Sequence, residues 1–245
     1  MRPLQLPAAG RFFNAQAVVQ DLHLGRGRTV HVIDDALVDP QAVVDWAALV
    51  RFDPPQTNAY PGGVTGVPEA LRDALDGFFA QHLRTRMGAR RTLDMYARLS
   101  MVTLSPAQLR PGQWLCHKDR TALDPSAVLM AASVLYLFHD PALGGTAFFE
   151  PRRSAAEIQA LVDDAQTLDN ARFADRYGVA PGYLTESNDY FEKVAEVPAR
   201  WNRLIFYDGG LFHSGCVRQP VRLTDDPRTG RLTLNGFFGC RRVAR

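Results

Sequence analysis

The sequence is poor in cysteine, in net charge and in long apolar runs, and each shortage excludes a class of protein. The three cysteines, Cys116, Cys216 and Cys240, are too few for a disulfide framework, which predicts a reducing, cytoplasmic environment. The 28 basic and 26 acidic residues leave a net charge of +2, which argues against a nucleic-acid partner. No run approaches the roughly 20 apolar residues of a membrane helix. The segment from Met1 to Gly10 lacks the apolar stretch of a signal peptide.

What the sequence does contain is typical of a single globular domain, with 46% hydrophobic and 22% charged residues over 245 positions. Apolar runs separated by Pro, Gly and Asp turns predict short antiparallel strands in a sandwich or barrel. A capping box at Ser154 and Glu157 precedes a helical apolar period, which predicts a helix. We expect one domain over 1–245, divided into an N-terminal α/β support at 1–90, a strand-rich core at 91–150 and 199–240, and a helical insertion at 151–198.

The first chemically informative motif is His117-Lys118-Asp119. On an extended chain, residues two apart point to the same face, so the imidazole and the carboxylate converge while Lys118 points away. A second histidine, His213, lies on a later predicted strand. Two histidines and one carboxylate are the set that binds Fe(II) on one face and leaves three coordination positions open.

Together these motifs resemble the Fe(II)/2-oxoglutarate-dependent oxygenases, in particular the branch similar to prolyl 4-hydroxylases. The first zone also resembles an uncharacterised bacterial subgroup of that superfamily, through its Val32-Ile33-Asp34-Asp35 opening and its Tyr60-Pro61-Gly62 loop. The resemblance implies a mainly β fold with flanking helices, built on a double-stranded β-helix (jelly-roll, cupin-like) core with N-terminal helices and a helical insertion. It covers roughly Leu104 to Phe238 and is strongest over Gln113–Asp119, Tyr136–Phe149, Arg200–Gly215 and Arg231–Phe238.

The resemblance also implies roles for individual residues. It makes His117, Asp119 and His213 the catalytic iron ligands. It makes Arg231 the partner of the distal carboxylate of 2-oxoglutarate, a task that suits the fixed charge and forked donors of arginine. The other residues that it places beside the co-substrate are Thr233, Tyr136 and Thr146.

The spacing departs from the family pattern at two places. The segment between Asp119 and His213 is longer than a minimal core needs, and the helical insertion accounts for the excess. Arg231 also lies far beyond His213, so Arg222 stays open as an alternative partner for 2-oxoglutarate, with Arg218 a weaker third choice. We prefer Arg231 because a regular apolar strand follows it.

The activity that the resemblance implies is oxidative decarboxylation of 2-oxoglutarate to succinate and CO2 with O2, coupled to hydroxylation of a C–H bond. Asp119 supplies the carboxylate that halogenating relatives lack, which disfavours halogenation. The expected partner is a small-molecule or peptide substrate: an amino acid, a peptide or protein side chain, or another small metabolite. The sequence does not choose among these substrates and does not predict the oligomeric state.

Other interpretations of the same residues remain. A cupin-like isomerase or a non-catalytic jelly-roll binding module would share the fold, although the former has no need of Arg231. A zinc site formed by Cys116, Cys216 and the two histidines is the other metal alternative. It is disfavoured because Cys116 and His117, as neighbours on a strand, point to opposite faces.

Overall fold

Two antiparallel sheets form most of the computed structural model, which describes residues 12–55, 60–119 and 127–243. The strands are β1 (Val19–Gly25), β2 (Arg28–Ile33), β3 (Gly62–Gly66), β4 (Ala89–Val102), β5 (Val128–Tyr136), β6 (Thr146–Pro151), β7 (Phe191–Val197), β8 (Leu204–Asp208), β9 (Phe212–Gly215) and β10 (Arg231–Arg242). The α-helices within the described residues are α1 (Pro40–Ala47), α2 (Glu69–His82), α3 (Ala155–Thr167) and α4 (Asn170–Tyr177).

The strand order is that of a jelly roll. The large sheet runs β1-β2-β8-β5-β10-β4-β3, and the small sheet runs β7-β6-β9. A single antiparallel bridge between His117 and His213 adds an eighth core position beside β9. The chain therefore crosses between β4, β10, β5 and β8 in one sheet and the bridge, β9, β6 and β7 in the other, as in a double-sheet jelly roll. The predicted fold class, mainly β with flanking helices, is confirmed.

Successive side chains of β10 point alternately out of the jelly roll and into it. Leu234 and Phe238 point outward and pack in the same buried cluster as Leu75 and Phe79 of α2, where the Phe79 and Phe238 rings stack at 4.2 Å. The intervening residues of β10 therefore face the space between the two sheets. These inward positions are Arg231, Thr233, Asn235 and Phe237.

Helices α3 and α4 cover the outer face of the small sheet. The predicted capping box is present, since the Ser154 backbone N–H donates to Glu157 at 2.9 Å and the Glu157 backbone N–H donates back to the Ser154 hydroxyl at 3.3 Å. Part of the 151–198 segment is not helical: Phe191–Val197 forms β7 and pairs with β6, a strand that the sequence pattern did not predict. Among the described residues, no helix combines the length and apolar character needed to cross a bilayer.

Candidate active site

The backbone brings His117, Asp119 and His213 together at one end of the space between the sheets. The His117 N–H donates to the His213 carbonyl and the His213 N–H donates to the His117 carbonyl, both at 2.9 Å. The Asp119 N–H donates to the Gly209 carbonyl at 2.8 Å. Residues 117 and 119 therefore present their side chains to one face, as the alternation of an extended chain predicts.

The three side chains form a metal-sized cluster. One ligand atom from each of His117, Asp119 and His213 lies within 4.8 Å of the others. Nε2 of His117 is 3.9 Å from Oδ1 of Asp119, and Nε2 of His213 is 3.6 Å from Oδ2. Exposure is uneven, because the His117 side chain is 60% exposed while those of Asp119 and His213 are 13% and 6% exposed.

His213 is held in the form that binds a metal. Its Nδ1–H donates to the Leu211 carbonyl at 2.8 Å, which leaves the lone pair of Nε2 for the site. Burial lowers the pKa of His213 to about 4, so the ring is neutral at pH 7. The Tyr207 ring packs edge-on against it, with 4.7 Å between ring centroids.

Asp119 supplies the observation that best tests whether a cation fits. Its Oδ2 is buried and accepts no hydrogen bond from any residue in the described part of the chain. Burial raises the pKa of Asp119, and the nearby His117 and Arg98 oppose the rise. An orphaned buried carboxylate oxygen is costly, and a cation within reach of both neutral imidazoles removes that cost. The donor set of two nitrogens and one oxygen suits Fe(II).

Gly209 limits the space behind Asp119. A Cβ at position 209 would lie 2.8 Å from Asp119 Oδ2 and 2.9 Å from Asp119 Cβ. We therefore expect Gly209→Ala to displace the carboxylate and to weaken Fe(II) binding by about tenfold or more, the usual effect of disturbing a ligand's support. Anaerobic Fe(II) titration measures the change. Gly210→Ala is the matched control, because its Cβ would meet only the side chain of Asp208; equal affinity in both variants would contradict the prediction.

Arg231 is the first residue of β10, and its side chain lies inside the fold. Its side chain is buried, and the residue is 4% exposed. Nε donates to the Leu143 carbonyl at 2.9 Å, and Nη2 donates to the Gly145 carbonyl at 2.9 Å. Within the described residues no carboxylate approaches it to 4.0 Å, so the charge of this buried guanidinium has no counter-ion from the protein.

The remaining co-substrate candidates surround Arg231. Tyr136 and Thr146 are buried and share a hydrogen bond of 2.8 Å between their hydroxyl groups. Burial raises the pKa of Tyr136 to about 12, which keeps the phenol protonated. The Thr233 hydroxyl donates to Oδ1 of Asn235 at 2.8 Å. All of them lie in the interior, and their contact with 2-oxoglutarate stays a prediction.

The alternative arginines lie elsewhere. Arg222 forms an ion pair of 2.7 Å with Asp140, and its side chain is 53% exposed. Arg218 pairs with Glu196 at 2.6 Å and is 45% exposed. Their charges are thus matched by the protein's own carboxylates, whereas that of Arg231 is not. The geometry favours Arg231 for an anionic co-substrate.

The cysteines do not join the cluster. Cys116 and Cys216 pack in the buried apolar cluster beneath α3 and α4, on the outer side of the small sheet. The metal-sized cluster found among the described residues contains His117, Asp119 and His213 and no thiol. The zinc alternative with two cysteine ligands therefore has no support in the structure.

Sequence reasoning missed Arg98 and gave Tyr60 no role in the site. Arg98 lies on β4, 9% exposed, with its guanidinium 5.3 Å from the ring centroid of Tyr60. The hydroxyl of Tyr60 is buried, and burial raises its pKa. A polar residue at Ser100 two positions after Arg98 was the available signal, since it indicates a polar inner face on this strand.

Solved structures that are similar to the chain share little sequence with it. HygX from Streptomyces hygroscopicus, with nickel, 2-oxoglutarate and hygromycin B bound, is 12% identical with a TM-score of 0.44, covering 86% of this chain and 82% of that chain. A Pseudomonas putida prolyl-4-hydroxylase is 13% identical with a TM-score of 0.37, covering 94% and 100%. The non-heme alpha ketoglutarate dependent epimerase SnoN from nogalamycin biosynthesis is 12% identical with a TM-score of 0.46, covering 89% and 82%.

Sequence comparison assigns the family. No curated protein matches the chain. A family model, DUF6445, described as a family of unknown function, matches residues 15–238. Because the match spans most of the 245 residues, the chain belongs to the DUF6445 family.

Proposed function

We propose that this protein is a non-haem Fe(II)- and 2-oxoglutarate-dependent dioxygenase that hydroxylates a C–H bond of its substrate. One observation carries the proposal: a His117–Asp119–His213 cluster with an orphaned carboxylate oxygen lies in the same interior as Arg231, a buried cation without a counter-ion among the residues that the structure describes. The cluster fits a divalent metal and the arginine fits a carboxylate. 2-Oxoglutarate would satisfy both sites, because one end of it binds iron and its distal carboxylate pairs with the arginine.

At neutral pH, the proposed ligands His213 and Asp119 are already in the protonation states that bind a metal. His213 is neutral and its Nε2 lone pair is directed into the cluster by the bond from Nδ1 to Leu211. Asp119 adds the negative charge that a divalent cation requires. Fe(II), when bound, supplies the oxidative chemistry: activation of O2, decarboxylation of 2-oxoglutarate to succinate and CO2, and oxidation of a C–H bond.

The protein's own residues bind and orient the co-substrate. The fork of Arg231 is fixed by the carbonyls of Leu143 and Gly145, so little side-chain freedom is lost when it pairs with the distal carboxylate. Tyr136, protonated and buried, adds a hydroxyl donor beside that end of the pocket. A carboxylate held by arginine in a water-poor interior binds far more strongly than one at the surface.

Aromatic side chains keep water from the inner side of the cluster. Tyr207 and Phe148 are both buried and lie 4.7 and 6.5 Å from the His213 ring, measured between centroids. The more exposed ring of His117 marks the opposite, accessible side. We propose that the substrate, a small molecule or a peptide, approaches from this side.

Anaerobic titration with Fe(II) and then 2-oxoglutarate tests the proposal. We expect a weak visible charge-transfer band that requires both additions, and slow succinate release once air is admitted. Protein that binds Fe(II) but gives neither the band nor succinate would overturn the assignment. Tight zinc binding without either signal would do the same and would indicate a jelly-roll binding protein.

A further inference from the structure

A second buried arginine, distinct from Arg231, lies close to the metal cluster. Arg98 is on β4 and pairs in register with Asn235 of β10. The central carbon of its guanidinium lies 5.3 Å from the ring centroid of Tyr60 and 5.5 Å from that of Phe237. Cation–π contacts use no hydrogen-bond donor, so the N–H groups stay available to an anion.

Arg98 lies near the carboxylate of Asp119 but makes no close polar contact in the described part of the chain. Its Nε is buried and makes no hydrogen bond, and no carboxylate lies within 4.0 Å of the guanidinium. Other arginines of the fold are paired: Arg203 donates to Asp34 from Nε at 2.7 Å, and Arg231 donates to loop carbonyls. A buried guanidinium N–H without a hydrogen-bond acceptor is unfavourable in the free protein. A ligand with negative charge would satisfy it.

Arg98 is separated from Arg231, the residue proposed to bind 2-oxoglutarate. Its partner Asn235 is four residues from Arg231 along β10, which corresponds to roughly 13 Å on an extended strand. Phe237, which contacts Arg98, pairs across the sheet with Ala132, and Ala132 pairs with Tyr207, the residue that packs on His213. Arg98 therefore faces the metal end of the interior, where a substrate must lie for its C–H bond to react.

Asn235, which lies opposite Arg98 on β10, provides a second hydrogen-bond donor. Its Oδ1 accepts from Thr233, which leaves the two N–H groups of Nδ2 without a described partner. The guanidinium of Arg98 and the amide of Asn235, opposite each other on neighbouring strands, can then converge on one carboxylate.

We propose that Arg98 binds a carboxylate of the primary substrate, which makes that substrate a small carboxylic acid oxidised near its acid group. The inference rests on the proposed oxygenase function and narrows its substrate class. In this proposal Arg231 binds 2-oxoglutarate, whereas Arg98 and Asn235 bind the carboxylate of the primary substrate.

The test uses the full-length protein loaded with Fe(II) and saturating 2-oxoglutarate under anaerobic conditions. The probes are N-acetylglycine and N-acetylglycinamide, which differ only in the carboxylate. Calorimetric titration gives both dissociation constants for the wild type, Arg98→Met and Arg98→Lys. Arg91→Gln is the matched control, an exposed arginine on the same strand.

We expect the wild type and Arg91→Gln to prefer the acid at least tenfold, Arg98→Met to lose the preference, and Arg98→Lys to keep part of it. If Arg98→Met does not fold, the arginine is structural and the inference fails unless Arg98→Lys shows the partial preference.

The remaining outcomes separate the two proposals. No preference in the wild type, or an equal preference in Arg98→Met, would overturn the role of Arg98 and leave the oxygenase assignment intact. Loss of the charge-transfer band in Arg98→Met would show that Arg98 supports the site of the metal and 2-oxoglutarate instead of binding the substrate, and would overturn the inference. A wild type without the band overturns the oxygenase assignment and, with it, this inference.

Discussion

Asp119→Ala is expected to abolish Fe(II)-dependent succinate formation while leaving the fold intact. The variant removes the only charged ligand of the cluster seen among the described residues, so the loss of metal affinity should exceed the roughly 10–100-fold caused by losing a ligand's supporting contact. The metal-free variant should melt no lower than the wild type, because Oδ2 is an orphaned buried oxygen whose burial costs about 1–3 kcal/mol. Metal titration, succinate release and thermal melting measure the three quantities.

The combination of these readouts separates catalysis from folding. Asp175→Ala, at an exposed position on α4, serves as the control and should change neither metal binding nor stability. A metal-free Asp119→Ala that melts well below the wild type would show that the carboxylate supports the fold. Normal succinate release from the variant would remove Asp119 from the site.

Arg231→Gln is expected to raise the dissociation constant of 2-oxoglutarate by roughly 10²–10⁴-fold, because removing one partner of a buried charge pair costs about 3–5 kcal/mol. Fe(II) binding should persist, since Arg231 is not one of the three residues of the metal-sized cluster. The intensity of the charge-transfer band against 2-oxoglutarate concentration gives the affinity directly.

Arg222→Gln is the decisive comparison, because Arg222 was the alternative that the sequence left open. Its exposed ion pair with Asp140 accounts for its charge, so its replacement should leave the affinity for 2-oxoglutarate within about twofold of the wild type, as is usual for exposed ion pairs. The opposite ranking of the two variants would move the co-substrate site to Arg222. Circular dichroism of both variants checks that Arg231→Gln is folded.

The metal cluster was predictable because it depends on local geometry. The i, i+2 spacing of His117 and Asp119 places both side chains on one face whatever the partner strands are. The same alternation places Cys116 on the outer face, where it packs under the helices. His213 required the additional expectation that a later strand returns beside the first, which the jelly-roll order provides.

Features that depend on strand pairing were not predictable in the same way. β7 carries charged residues without clear alternation, and it is a strand because its backbone pairs with β6. Arg98 is conspicuous only once its strand is placed in register with Asn235 and its buried Nε is seen to make no hydrogen bond. A single sequence contains neither the register nor the missing partner.

The uneven support of the three ligands has a consequence for metal exchange. His213 belongs to β9 and Asp119 is buried behind Gly209, whereas His117 is exposed and held by one isolated bridge. A small rotation of the His117 side chain opens the cluster without disturbing either sheet. We therefore expect chelation and reloading to proceed through His117, with Asp119 and His213 kept in place for the next ion.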